Sequence, residues 1–140
     1  MNKARVIIVG GGFAGVAAAI AANKVGARAT LLERTDMLGG CGLGAGRIRY
    51  NGKMVPAEET KAMGGQEVFE ALESIVMHRG NIIDEEHTYT YNTLLLDTTL
   101  LKIVEAAGVE VHLESRVTSV EKEDGLLNAV VTENGERYQG

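Results

Sequence analysis

Residues 5–15 read RVIIVGGGFAG, a continuous β-branched run that leads directly into a glycine-rich turn. The run Arg5–Val9 predicts a strand buried on both faces of a parallel sheet. Gly10, Gly12 and Gly15 then follow with G-x-G-x-x-G spacing. In such a turn the first glycine permits a tight bend, the second lets a diphosphate approach the backbone, and the third lets a helix pack closely on the sheet. This stretch therefore predicts a nucleotide-binding turn.

A helix and a second strand are predicted after the turn. An alanine-rich run predicts a helix from Phe13 to Val25, with Gly26 as its C-terminal stop. Residues 27–33 (ARATLLE) predict a strand that ends in an acid. Together these elements form a βαβ unit, whose connection is expected to be right-handed. The N–H groups at the helix start would face a diphosphate, and Glu33 would accept hydrogen bonds from ribose hydroxyls.

The remainder of the chain contains one irregular segment and several regular elements. From Arg34 to Pro56 clustered glycines favour a backbone that closely approaches a ligand. Apolar stripes predict a second helix from Gln66 to Arg79 and a third that begins after Asn92 and ends at Gly108. Residues 81–91 are expected to form a loop or a short strand, and the alternation in residues 109–113 is typical of an edge strand with one wet face.

Asp-Gly and Asn-Gly turns separate three short runs at the C-terminal end of the sequence. The runs are residues 117–122, 126–133 and 136–139. These turn dipeptides are strong hairpin signals, so the runs predict a small antiparallel meander. The predicted fold class is therefore α/β, with a Rossmann-like βαβ parallel sheet, flanking helices and an antiparallel β-meander near the C-terminus.

Composition limits the class of protein and its partners. With 140 residues the chain has the size of one domain, and its formal net charge of −5 argues against a nucleic-acid partner. The apolar run near the N-terminus resembles a signal peptide, but its period changes at Gly10 and it is too short for a membrane span. The single cysteine cannot form an intramolecular disulfide. We therefore expect a cytoplasmic protein without a membrane span.

The glycine motif alone does not choose between FAD and NAD. Hairpins follow the predicted third strand, where a full nicotinamide-binding domain would have a second βαβ half. A second glycine pair, Gly39-Gly40, follows Glu33 closely. Both features favour FAD. An NAD-dependent dehydrogenase domain stays open as an alternative, as does a non-catalytic nucleotide-binding module such as one half of a split flavoprotein.

Residues 10–40, GGGFAGVAAAIAANKVGARATLLERTDMLGG, resemble the FAD-dependent oxidoreductase family of the glutathione-reductase-like superfamily. The resemblance is strong through Gly40 and weaker through the third helix, residues 108–120 (GVEVHLESRVTSV) and the meander. It implies an enzyme whose flavin accepts hydride or electrons from an unidentified donor. It also implies a small-molecule substrate or an electron-transfer partner. No catalytic residue is identified, because the flavin ring itself accepts the hydride.

The resemblance also implies which residues bind the cofactor. In the family the diphosphate lies over the loop that matches Gly10–Gly15, and the acid that matches Glu33 binds the adenosine ribose. The pair Gly39-Gly40 would lie near the diphosphate and ribityl chain, and the backbone at Val117 would meet the adenine. The expected cofactor-binding residues are Gly10, Gly11, Gly12, Phe13, Ala14, Gly15, Glu33, Arg34, Gly39, Gly40 and Val117. Phe13 stands where the family usually has proline, which is favoured but not required at a helix start.

Family members continue after the meander with a strand and an Ala-Thr-Gly type motif. The resemblance therefore implies that residues 1–140 form a FAD-binding domain that is truncated before its final strand. Because that strand pairs beside the first, Arg5–Val9 would expose an apolar edge prone to association. The expected partners include a second copy of the chain or a complementing C-terminal segment. We expect the isolated chain to be poorly soluble or to bind flavin weakly.

Other candidate residues give weaker signals. Cys41 lacks the partner of a C-x4-C redox pair, since residue 46 is glycine, and is expected to be a small packing residue. The three histidines, His78, His87 and His112, lack metal-ligand spacing, so no metal site is expected. Residues 84–87 (DEEH) favour a solvated acidic loop over a cation site. Arg47 and Arg49 would either reach a phosphate or an acidic substrate or be solvated.

Overall fold

A computed structural model describes residues 4–44, 49–50, 59, 65–79 and 89–140 of the chain. Strands and helices are mixed through residue 106, and four strands follow the last helix. The regular elements are β1 (Arg5–Val9), α1 (Phe13–Lys24), β2 (Arg28–Leu32), a 3₁₀ turn (Gly40–Gly42), β3 (Arg49–Tyr50), α2 (Gln66–Ser74), β4 (Val76–Arg79), β5 (Tyr89–Tyr91), α3 (Thr93–Ala106), β6 (Glu110–His112), β7 (Val117–Glu123), β8 (Leu126–Thr132) and β9 (Arg137–Gln139).

The central sheet is parallel and has the strand order β1-β2-β6. Strand β1 pairs with β2 from Arg5↔Arg28 to Val9↔Leu32, and β2 pairs with β6 in parallel. The predicted βαβ unit and the α/β class are therefore confirmed. Because all three strands run in the same direction, their carboxyl ends meet at one edge, where Gly10 and Glu33 follow the first two strands. Ligands of open α/β sheets bind outside this edge.

Strand β1 is not buried on both faces, contrary to the prediction. Among the described strands it pairs with β2 alone, so it lies at the edge of the sheet. Val6 is 37% exposed and Val9 is 56% exposed. Strand β2 takes the central position instead, and Leu31 and Leu32 within it are buried. The β-branched run therefore predicted that residues 5–9 form a strand, but it did not predict the position of that strand in the sheet.

The core lies between the parallel sheet and the helices. It contains buried residues from α1, β2, α2 and α3: Val16, Ile20, Leu31, Leu72, Leu96, Leu100 and Val104. The side chain of Asn92 accepts a hydrogen bond from the N–H of Leu94, which confirms the predicted cap of the third helix. Gly108 follows that helix with φ 71°, as its predicted end requires.

The predicted second helix extends too far, because its last four residues form a short strand. Helix α2 ends at Ser74, and Val76–Arg79 form β4, which pairs antiparallel with β5. The predicted apolar stripe is correct for Val68, Leu72 and Ile75, which are buried. Val76 and Arg79 instead belong to a second sheet of order β3-β5-β4. The β-branched pair Ile75-Val76 suits a ladder better than a helix interior, so tertiary pairing ends the helix early.

The C-terminal meander is confirmed. Strands β7, β8 and β9 form an antiparallel sheet in chain order. Asp124 and Gly125 both have positive φ at the first turn, which is the conformation that a type I′ hairpin demands. An edge-to-face contact between His112 and Tyr138, with ring centroids 4.9 Å apart, joins the meander to the parallel sheet. In the part of the chain that the structure describes, no helix is long and apolar enough to cross a bilayer.

Candidate functional site

The first glycine loop connects β1 to α1 at the carboxyl edge of the sheet. Gly10 has φ 104°, a left-handed conformation that glycine adopts at little cost, and its N–H donates to the carbonyl of Leu32 at 2.8 Å. Gly12 is the N-cap of α1 and has no side chain to cap the helix. A Cβ placed on Gly12 would meet no atom closer than the Cα of Gly40, at 3.9 Å. The backbone at Gly12 is therefore open to an approaching group.

Gly15 has a different role in the same loop. A Cβ on Gly15 would lie 1.8 Å from the carbonyl oxygen of Gly10, closer than any real contact. The first turn of α1 can therefore approach the end of β1 only because residue 15 lacks a side chain. The missing side chain at Gly12 leaves the loop backbone accessible, whereas the missing side chain at Gly15 lets α1 pack closely against the end of β1.

The second glycine pair lies directly against the first loop. The N–H of Gly39 donates to the carbonyl of Gly11 at 2.9 Å, and Gly12 and Gly39 form a parallel bridge. A Cβ on Gly40 would lie 3.0 Å from the Cα of Gly12. Both Gly39 and Gly40 have positive φ, at 118° and 52°. The two glycine sequences, well separated along the chain, thus form one continuous backbone surface.

Glu33 lies beneath this surface as a buried carboxylate. It is 6% exposed, and its Oε2 accepts a hydrogen bond of 2.6 Å from the N–H of Gly11. Its Oε1 accepts from the N–H of Thr35 at 2.8 Å and from Thr35 Oγ1 at 2.9 Å. Burial raises the pKa of Glu33, but these hydrogen bonds and the charge of Arg34 together hold the pKa below its usual value. Since a carboxylate has about four acceptor positions, room remains for one further donor such as a ribose hydroxyl.

Two open clefts meet at this loop. The larger, of about 650 Å³, is lined by both glycine sequences and by residues 34–37. The smaller, of about 380 Å³, is lined by the end of β2 and by residues 115–118. Gly10, Glu33 and Arg34 line both clefts. The structure therefore brings the expected residues Gly10, Gly12, Glu33, Arg34, Gly40 and Val117 to two adjoining clefts, which together are called the groove.

Phe13 and Ala14 occupy the first turn of α1 with different surroundings. Ala14 is exposed. The ring of Phe13 packs edge-to-face on Tyr91, with centroids 6.3 Å apart. Tyr91 is buried and its hydroxyl donates to the carbonyl of Gly42 at 2.9 Å. Phe13 thus helps to hold the 3₁₀ turn that begins at Gly40.

The expectation that Cys41 is a packing residue is wrong. Cys41 is exposed and lines the larger cleft. In the 3₁₀ turn Gly42 occupies the buried position, where a Cβ would lie 2.5 Å from the ring of Phe13. The neighbouring residue consequently faces the cleft.

The other candidate residues lie away from the groove or outside the described residues. His78 is exposed on β4, and His112 contacts Glu110 at 3.0 Å on β6. Arg49 lies in β3, whereas Arg47 and residues 84–87 fall outside the described residues. Within the described ranges no group of three or more His, Cys, Asp or Glu side chains is placed to hold a metal ion.

Sequence reasoning missed two residues that shape the site. Thr35 holds Glu33, and its position two residues after an acid is a local turn pattern that could have revealed it. Tyr91 supports the turn at Gly42 across a separation of 49 residues, for which the sequence carries no local signal.

Solved structures share this fold. GidA from Aquifex aeolicus matches with a TM-score of 0.70 and 18% identity, over 98% of this chain and 24% of that protein. The Diels-Alderase PyrE3 matches with a TM-score of 0.68 and 20% identity, over 99% of this chain and 31% of that one. FqzB matches with a TM-score of 0.65 and 26% identity, over 98% of this chain and 34% of that one. The chain thus spans about a third or less of the length of these proteins.

Sequence comparison identifies the family. No match was found among the curated proteins with which the sequence was compared. The family model described as FAD dependent oxidoreductase matches residues 5–139, which is nearly the whole chain. That range includes both glycine sequences, Glu33 and the meander. The chain therefore belongs to the family of FAD-dependent oxidoreductases, and its cofactor is FAD.

Proposed function

We propose that the groove at the carboxyl edge of the sheet would hold FAD. The diphosphate contacts Gly10–Gly15, with Gly39-Gly40 beside them on the same surface. Glu33 accepts a hydrogen bond from the adenosine ribose, and the adenine lies in the smaller cleft against the backbone of Val117. The observation that carries this proposal is the direct pairing of the two glycine sequences above a buried carboxylate.

The chemistry of the bound groups matches these surroundings. A diphosphate needs N–H donors and a close backbone approach, and the uncapped start of α1 offers both at Gly12. The macrodipole contributes about 0.3–1 kcal/mol per charge, so directed N–H hydrogen bonds supply most of the affinity. Glu33 is ionised and already oriented by Gly11 and Thr35, so it binds a hydroxyl without reorganising.

The activity that we propose is oxidation of a small molecule or of a protein electron donor. Bound FAD supplies the acceptor of hydride or electrons, and this chain binds and orients its adenosine and diphosphate parts.

The exposed thiol of Cys41 suits the reducing conditions of a cytoplasmic location.

Titration of the purified chain with FAD and with NAD⁺ tests the cofactor assignment. We expect FAD to bind more tightly than NAD⁺, and an equilibrium fluorescence titration measures this difference even where binding is weak. Tighter binding of NAD⁺ would contradict the assignment of this groove to FAD.

We further propose that another strand completes the sheet beside β1. Val6 and Val9 are exposed on this edge, and an open cleft of about 280 Å³ lies between β1 and β8. Asn128 lines this cleft, and its Oδ1 is buried without a hydrogen-bond partner among the described residues. An unsatisfied buried acceptor is costly, and the N–H donors of an added strand would lower that cost. The greater length of the structural relatives supports this proposal.

The behaviour of the isolated chain tests the proposed strand. We expect residues 1–140 to associate or to bind FAD weakly, because an apolar strand edge pairs readily with other chains. If a separate polypeptide supplies the strand, the chain is one half of a split flavoprotein. In that case adding a peptide of the partner restores a monomer with tight FAD binding. A soluble monomer that binds one FAD tightly would overturn the proposal.

A further inference from the structure

Asp97 lies on helix α3, yet it contacts the loop that carries the second glycine pair. Its Oδ1 accepts a hydrogen bond of 2.7 Å from the backbone N–H of Leu38, across a separation of 59 residues. The preceding helix residue, Leu96, packs against Gly39, where a Cβ would lie 3.1 Å from the Leu96 side chain. Two adjacent residues of α3 therefore hold two adjacent residues of the loop.

Leu38 connects helix α3 to the first glycine loop, because it also packs against that loop. Its side chain is fully buried, and a Cβ on Gly11 would lie 2.5 Å from Leu38 Cδ2. The next residue, Gly39, donates its N–H to the carbonyl of Gly11. The position of the Leu38 backbone thus determines where the second glycine pair meets the first.

The hydrogen bond to Asp97 matters because Leu38 is itself buried. Asp97 is half-buried, so without its carboxylate the remaining acceptor for the Leu38 N–H is water from the partly exposed side. Truncating Asp97 therefore favours a displaced loop in which the Leu38 N–H reaches water. That displacement would separate Gly40 from Gly12, which lie against each other in the wall of the larger cleft.

We propose that Asp97 is a positioning residue for the cofactor: it acts through Leu38 to hold Gly39-Gly40 against the Gly10–Gly15 loop. The inference rests on the proposed function, since it assigns the diphosphate to this surface. Asp97 does not line either cleft, so its effect on FAD is indirect.

Three variants and two measurements test the proposal. Asp97→Ala removes the acceptor, Asp97→Asn retains an acceptor oxygen without the charge, and Glu105→Ala removes an exposed acid from the same helix as a control. Flavin fluorescence titration gives the Kd for FAD. Hydrogen exchange of the Leu38 amide, compared with an amide in β2, separates local opening of the loop from global unfolding.

We expect Asp97→Ala to weaken FAD binding about tenfold, which corresponds to about 1.4 kcal/mol. It should also speed exchange at Leu38 while leaving the β2 amide protected. Asp97→Asn should keep the wild-type affinity for FAD and the wild-type exchange rate at Leu38, and Glu105→Ala should resemble the wild type. Unchanged FAD affinity in Asp97→Ala, a Leu38 amide that stays protected, or equal loss in Asp97→Asn would each overturn the proposal. If the wild type takes up no FAD even when the complementing strand is supplied, the proposed function fails, while exchange at Leu38 still decides whether Asp97 holds the loop.

Discussion

The N–H of Gly11 donates a 2.6 Å hydrogen bond to Oε2 of Glu33, which ties the first glycine loop to the end of β2. Gly11 itself is buried, and a Cβ there would lie 3.1 Å from Oε2 of Glu33. The middle glycine of the triplet thus lies over the carboxylate and Gly12 lies beside the cleft. The acid at the end of the second strand therefore supports the loop as well as offering an acceptor to a ligand.

Replacing Glu33 with glutamine should lower stability in a pH-dependent way. At pH 7 the loss should be about 1–3 kcal/mol, because three hydrogen bonds to a charged acceptor are weakened. The folded-state pKa of Glu33 lies below its usual value, so the ionised carboxylate stabilises the fold above the unfolded-state pKa. That contribution disappears as the pH falls through the folded-state pKa.

Chemical denaturation of the wild type and of Glu33→Gln between pH 7 and pH 3 measures this effect. The difference in unfolding free energy should be constant near neutrality and should shrink below about pH 4.5, the ordinary pKa of this carboxyl group. A difference that persists unchanged at pH 3 would mean that the charge of Glu33 does not support the loop.

Replacing Gly15 with alanine should destabilise the chain, although alanine ordinarily favours helices by about 1 kcal/mol over glycine. The added Cβ would lie 1.8 Å from the carbonyl oxygen of Gly10, so α1 must move away from β1. We expect a loss of about 1–3 kcal/mol, as for other overpacked sites. Urea denaturation provides the measurement. A gain in stability in Gly15→Ala would show that the close approach of α1 is not required.

Cys41 provides a chemical probe of the larger cleft. It is the single cysteine of the chain, it is exposed, and it lines the cleft with Gly40 and Gly44. A thiol reagent should therefore label the protein rapidly at one site, and saturating FAD should slow the labelling. Adenosine alone should protect less, because the adenine is assigned to the other cleft. Equal labelling rates with and without FAD would exclude the larger cleft as the FAD site.

Local patterns in the sequence predicted much of the fold. Residues 5–33 contain a complete βαβ unit, so strand, turn and helix follow from the hydrophobic period and the glycine spacing. Asn92 and the two hairpin turns are likewise local signals, and each appears in the structure. Such features depend on neighbours only a few residues apart.

Features that depend on distant pairing could not be predicted in the same way. Helix α2 ends early because Val76–Arg79 pair with β5, and nothing within the stripe Val68–Ile75 indicates that partner. Exposure of Cys41 depends on the packing of Gly42 beneath Phe13. The role of Asp97 also requires a contact between α3 and a loop that lies far away in sequence.

Gly12→Ala tests the central claim, which is that the paired glycine loops form the surface that receives the FAD diphosphate. Gly12 has φ −72° and no neighbour within 3.9 Å of an added Cβ, so the variant should fold with nearly unchanged thermal stability. The same methyl group would occupy the space of the diphosphate. FAD titration should show affinity reduced by at least about tenfold, or about 1.4 kcal/mol. Wild-type affinity for FAD in a folded Gly12→Ala variant would contradict the account.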